Sequence, residues 1–317
     1  MTPLSFLRGM AGRHLSLRFR SGPHLVEIHD RPARHLPADT CAGLRQDIRT
    51  LARKVEPRGD LDYGVFLDDP DIWQSLSLTL VRDGKTGDLI GFNALRWIET
   101  HPGEMPLLHL GLAMVDPDRQ SQGISWILYG LTVVLLFLRG GLKPLRISNV
   151  TQVPAVFGRV AGSFADVYPD GVTPAPGYRH LRQARAIMRD HRHVFGVGND
   201  AWFEEDRFII RNAYTGGSDA MKKSFEQAAH HRDAAINAYC QAELDYQRGD
   251  DFLQIGQMDV PTMRSYFLRE VPAGSRRAVL MAAGFAVAQN WVAPLFGWLD
   301  SRRLWNGLAP DGSAPRV

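Results

Sequence analysis

The chain has 317 residues, 44% of them hydrophobic and 22% charged, the proportions of an ordinary globular protein with room for one large domain or two small ones. Lys and Arg number 37 against 34 Asp and Glu, a net charge of +3, which is too little for a nucleic-acid footprint, and no basic stripe interleaves with aromatics. Cys41 and Cys240 stand far apart; they form no disulfide framework, read as buried or half-buried thiols, and suggest a reducing, cytoplasmic compartment.

Met1 to Pro23 carries Arg8, Arg13, Arg18 and Arg20 with no acidic residue. It has no continuous apolar core and is not a secretory signal. It is expected to be a basic arm over 1–22, either a poorly ordered leader or a segment lying on a membrane with Leu4, Phe6, Leu7 and Leu15 as its apolar side. His24 to Ile28 then reads as a short strand. Cys41, Leu44, Ile48, Leu51 and Val55 recur at steps of three and four, one face of an amphipathic helix starting near Asp39 or Thr40. Leu76 to Val81 and Leu89 to Ile98 are extended runs joined by a polar stretch containing Asp83-Gly84, a hairpin signal. Leu107 to Val115 is a third strand, and Ile124 to Leu138 is an apolar run too long for another. Gly140-Gly141 ends that helix, Leu145 to Val150 is a strand, and Pro154 to Ala161 a brief helix. Arg207 to Tyr214 and Asp251 to Met258 are candidate closing strands. Helical insertions are expected about 165–200, on Leu181, Ala184, Ile187 and Met188, and 216–248, on Met221, Phe225, Ala228, Ala235, Tyr239 and Leu244.

The turn between strand and long helix, Val115 to Ile124, leaves backbone N–H groups free at a helix N-terminus, where the helix dipole favours a phosphate. It resembles the acyl-CoA-binding motif of the GNAT superfamily of N-acyltransferases, V-x-P-x-x-[RQ]-x-x-G-x-[GA] followed by a helix. Val115, Pro117, Gln120 and Gly123 fit; Ser125 departs from the final Gly or Ala but is still small. The order of elements over about 22–162 matches that fold as well, so the resemblance implies an α+β domain over 23–260, with a mixed, mostly antiparallel sheet flanked by helices. It implies acyl transfer from a thioester to an amine, with acetyl-CoA or a longer acyl-CoA as co-substrate and no metal. Carried onto this chain, it puts Leu112, Ala113, Met114 and Val115 along the pantetheine. Gln120, Ser121, Gln122, Gly123, Ile124 and Ser125 surround the pyrophosphate, and Asn149 contacts the cofactor arm unless it merely turns the chain. Arg119 either reaches a phosphate or is solvated. Phe157 stands where the family usually has a Tyr that protonates the thiolate; Tyr168 is the substitute nearby, unless no acid is needed.

For the base, His109 has the right ordinary pKa, and Glu99 is the second candidate; a lone His in an apolar strand is otherwise a hydrogen-bonded core residue. His191-Arg192-His193 and His230-His231 with Asp233 lack metal-ligand spacing and read as solvated faces. There is no G-x-S-x-G elbow and no Walker loop.

Residues 261–317 are expected to be a helical extension. Within it Ala278 to Leu299 is apolar apart from Gln289 and Asn290, about long enough to span a bilayer, yet interrupted by that pair and Pro294. Docking on the domain and contact with a membrane surface both remain open, the latter with Trp291 and Trp298 at the interface. Two functions follow: an N-acyltransferase acting on a small amine or amino-acid-like acceptor, or a non-catalytic acyl-CoA- or lipid-binding protein of the same fold, associated with a membrane.

Overall fold

A computed structural model describes residues 6, 9–57, 61–119, 124 and 126–292. Strands β1 (Ser16–Ser21) and β2 (His24–Asp30) are followed by α1 (Ala38–Val55) and α2 (Pro70–Ser75). Then come β3 (Leu76–Asp83), β4 (Leu89–Ile98), β5 (Leu107–Leu110) and β6 (Ala113–Val115). A π-helical turn, Trp126–Leu131, leads into α3 (Thr132–Arg139), β7 (Leu145–Thr151), α4 (Pro154–Ser163) and β8 (Ala165–Tyr168). The remainder is α5 (Tyr178–Ala186), β9 (Trp202–Glu204), β10 (Ile209–Arg211), α6 (Ala234–Glu243), β11 (Asp251–Met258), α7 (Val260–Arg269) and α8 (Ala273–Val287).

The eleven strands among the described residues form one sheet in the order β1-β2-β3-β4-β5-β7-β11-β10-β9, with β6 paired to β4 and β8 to β11. Among the described residues only β5 and β7 pair in parallel, Leu108 opposite Ile147, His109 opposite Ser148 and Leu110 opposite Asn149. The fold is therefore the large, mostly antiparallel sheet flanked by helices that was expected. Side chains alternate across a strand, with a register shift next to Ile90 that moves it to the other side, so one face of β4 buries Phe92 and Ala94 with Ile48 and Leu51 of α1. The other buries Ile90 and Leu95 with Val134 and Phe137 of α3 and with Val279, Ala282 and Ala286 of α8.

The expected strand Leu107 to Val115 is broken. Between the pairs Asn93 with Ala113 and Arg96 with His109, β4 advances three residues while its partner advances four. This is a β-bulge, which bends the strand carrying the extra residue. The chain crosses at Leu112, whose carbonyl accepts from Ala94 N at 2.9 Å. Beyond it β6 stays on β4 and has no pairing to β7, so the sheet opens. Gly111 makes the crossing feasible: a Cβ there would collide with the Ala94 carbonyl oxygen.

Other expectations are corrected. The basic N-terminal segment is not an arm from residue 9 onward. Leu17 alternates with the arginines and is buried, β1 pairs with β2 over its whole length, and Met10 and Leu15 join the core under α3. Arg139 fastens it by donating to the carbonyls of Met10 (2.7 Å) and Arg13 (2.6 Å). The insertion expected over 216–248 is helical only at Asp219–Met221 and Ala234–Glu243. That expected over 165–200 includes β8, and the strand expected at Arg207 to Tyr214 shrinks to β10, hairpinned with β9. Of the apolar run 278–299, residues 293–299 lie outside the described residues; α8 packs against α3, and Leu280 and Trp291 are exposed. Among the described residues no helix is long and apolar enough to cross a membrane.

Gly111→Ala is expected to destabilise the protein by about 1–3 kcal/mol, whereas Gly43→Ala, on the open face of α1, stabilises it by about 0.5–1 kcal/mol. Chemical denaturation of both variants decides; equal effects would show that the crossing tolerates a side chain.

Candidate functional site

Where β6 and β7 part, a cavity of about 470 Å³ opens. Its walls include Gly111, Leu112 and Ala113 from the bulge and Asn149, Val150 and Thr151 from β7. It reaches both faces of the sheet. Tyr129, Gly130 and Val133 line it on the α3 side, together with Val160 of α4 and Tyr266 of α7; on the α1 side it is lined by Tyr63, Phe66, Phe195, Tyr214 and Asp251. The lining is mainly apolar with a few polar groups, the usual make-up of a small-molecule site.

The turn that leads out of β6 is pinned from below. Lys54, in the last turn of α1, donates to Asp116 and Asp118, both at 2.8 Å. Burial works against the Asp116 charge, but the Lys54 ammonium and the Asp118 amide outweigh it and hold the carboxyl below its usual range. Arg119 forms an ion pair with Asp83 on the β3–β4 hairpin at 3.1 Å. Gln120, Ser121, Gln122, Gly123 and Ser125 lie outside the described residues. Ile124 is buried beneath α3.

Of the expected pantetheine segment, Leu112 and Ala113 line the cavity, while Met114 is buried under α1 and Val115 packs toward α3. Asn149 lines it as well, its Nδ2 donating to Gln254 Oε1 at 3.0 Å. Gln254 in turn donates to the carbonyl oxygens of Phe157 (3.2 Å) and Pro169 (3.1 Å), which fixes the amide. Asn93 lines the opening too, and its Oδ1 is buried without a partner.

His109 lines the cavity, with Nδ1 against Ser148 Oγ at 3.0 Å and its ring on Phe195 at 5.0 Å. Burial, with help from the Arg96 guanidinium, pushes its pKa down to about 3. It is neutral at physiological pH and a poor acceptor for an ammonium proton. Glu99 and Tyr168 are not brought to the cavity. Glu99 is exposed at the end of β4, where its carbonyl oxygen faces His191 Nε2 at 3.0 Å. Tyr168 is buried against Phe208 and donates to the Asp206 carbonyl at 2.6 Å. Phe157 is fully buried among Tyr239 and Phe252.

A polar group that sequence reasoning missed occupies the α1 side. Asp251, the first residue of β11, is 4% exposed, and Tyr214 donates to its Oδ1 at 3.0 Å. Burial raises the Asp251 pKa to about 7, and the neighbouring Asp250 adds to that, while the Tyr214 hydrogen bond opposes it. Burial and the Asp251 charge also raise the phenols of Tyr63 and Tyr214. A carboxylate poised near neutrality in a cavity is a candidate proton acceptor.

No protein-family model matches the chain, and no curated protein sequence matches it. Among solved structures, the ribosomal-protein-S5-alanine acetyltransferase from Vibrio fischeri aligns with 77% of this chain and 96% of its own, at 14% identity and a TM-score of 0.32. That likeness is too slight to bear on chemistry or substrate.

Asp251 binds its proton more tightly folded than unfolded. Its contribution favours folding at acid pH and declines as pH rises from about 4 toward about 7. Asp251→Asn is therefore expected to raise Tm at pH 8 and leave it nearly unchanged at pH 4. A lowered Tm at pH 8 would show that the charge has a compensating partner.

Proposed function

We propose that this protein is an acyl-CoA-dependent N-acyltransferase that moves an acyl group, most simply acetyl, directly to a small amine. The observation that carries the reading is the cavity through the sheet at the bulged strand. It lies directly before the motif turn and has two faces from which two substrates can meet. The thioester arm enters from the α3 side, along Leu112 and Ala113 and beside Asn93 and Asn149. Arg159, exposed at that mouth, offers a cation to the nucleotide end. Strand-edge amides freed where β6 leaves β7 polarise the thioester carbonyl.

The amine enters from the α1 side. Asp251 takes its first proton, the nitrogen attacks the carbonyl carbon, and the tetrahedral adduct collapses with cleavage of the C–S bond as the nitrogen's second proton passes to solvent. Phe157 has no proton to give, so the sulfur leaves as the thiolate. In this reading His109 packs the floor of the site and does not act as the base. The two free, buried cysteines fit work in the reducing cytoplasm. Phe157 also favours a second reading, an acyl-CoA-binding protein without turnover.

Calorimetric titration with acetyl-CoA and a long-chain acyl-CoA tests both readings. Binding is expected, with Gly123→Glu at the motif turn and Ala113→Trp in the cavity each weakening it by at least about tenfold, or 1.4 kcal/mol. Binding of neither thioester by the wild type would end both readings. Binding with no thiol release across a panel of amines would leave the second.

If turnover is found, kcat/KM is expected to rise with pH through about 7 as Asp251 loses its proton. Asp251→Asn should abolish that limb and cost about 10²–10⁴-fold in rate. A profile unchanged in the variant would remove Asp251 from the reaction.

A further inference from the structure

The cavity holds a second charged group that has no ion-pair partner among the described residues. Arg96 of β4 is half-buried and lines the α1 side. Its Nη1 is buried without a hydrogen-bond partner, and it forms no ion pair among the described residues. Asp69 and Asp71, near the start of α2, act on it only through space. Other arginines drawn into this structure are paired: Arg82 with Asp47 at 2.6 Å, and Arg211 with Asp250 at 2.7 Å. A desolvated guanidinium without a counter-ion is costly unless something from outside completes it, and its planar fork matches a carboxylate.

The neighbours of Arg96 narrow the choice. Across the ladder it stands between Leu76 and His109, an apolar side chain and an imidazole that burial keeps uncharged. The planar fork of Arg96 beside a neutral ring suits a carboxylate, and half-buried Lys223 is a further cation in the cavity lining. Asp251 is on the same face of the sheet, since alternation along β11 aligns it with Leu253 and Ile255, and those pack with Ile98 and Leu107. The α1 side of the cavity thus presents an acid at one place and a base at another.

We infer that the acceptor is an amino acid or a close analogue, its carboxylate held by Arg96 and its ammonium directed toward Asp251. Arg96 is then a specificity-determining residue: it selects acceptors that carry an acid group and takes no part in the proton transfer. This rests on the reading that the amine enters from the α1 side, but its test does not require turnover.

Saturation-transfer NMR on the full-length protein, with the common amino acids and their matching carboxamides as probes in the presence of CoA, reads the site directly. At least one amino acid is expected to bind tenfold or more tightly than its amide. Arg96→Met should erase that preference while keeping the wild-type affinity for acetyl-CoA, and Arg96→Lys should restore part of it. Because Arg96→Met removes a desolvated charge that has no ion-pair partner among the described residues, its Tm should match or exceed that of the wild type. The inference is overturned if no amino acid binds, if acids and amides bind alike, or if Arg96→Met retains the preference. Failure of acetyl-CoA to bind, with the acid preference intact, would instead refute acyl transfer and leave this site standing.

Discussion

One surplus residue in the strand that crosses the middle of the sheet governs the rest of the molecule. Because β5 and β6 together are one residue longer than the stretch of β4 they oppose, the strand bends at Gly111-Leu112 and cannot follow both neighbours. It keeps β4 and leaves β7. The opening exposes strand edges that a continuous sheet would have paired, and buried backbone polar groups are seldom left without partners. A ligand that can satisfy them is what such an opening accommodates. The parallel pairing of β5 with β7 up to Asn149 confines the gap to one end of the sheet, so it becomes a closed-sided passage.

The electrostatics of that passage are made by burial more than by pairing. Elsewhere charges are matched closely, as with Lys54 beneath Asp116 and Asp118, or Glu104 between Arg146 and Arg182, whose hydrogen bonds hold its carboxyl at about 2. Inside the passage the pattern reverses. Among the described residues Asp251 has a phenol for company, Arg96 has no ion-pair partner, His109 is kept neutral, and Asn93 has an unused oxygen. Groups left in this condition are set by what enters, and a low dielectric makes each of them count for more.

Much of the frame was legible from local pattern. The α1 face on Cys41, Leu44, Ile48 and Leu51 follows from spacing because that helix buries one face, while the β3–β4 hairpin and the limits of β11 follow from apolar runs bounded by turn residues. Strand β1 was missed although Leu17 and Phe19 alternate with Arg18 and Arg20; the arginines drew attention to charge and away from the period of two. Strands β8 and β9 are too short to show a period. Arg96 carried a readable signal, a cation between Leu95 and Trp97 in a strand whose other polar side chain is Asn93. Asp251 carried none. At the head of a strand an Asp reads as turn chemistry, and only the packing of Tyr214 and Tyr63 around it, from distant parts of the chain, makes it a buried acid. The same holds for Glu99 and Tyr168, whose sequence neighbourhood near the site does not survive the turn of the sheet.

The position of β11 has a consequence for the order in which this molecule comes into being. It lies inside the sheet, between β7 and β10, yet it is made from residues 251–258, and Tyr266 follows it into the cavity wall. A nascent chain that has already emerged through α4 has the bulge and the motif turn but faces an unfilled edge at β7. Contacts that span so much sequence are formed late and slowly, so on the ribosome the passage stays half-walled, and β7 stays open to wrong partners, until most of the polypeptide has been synthesised.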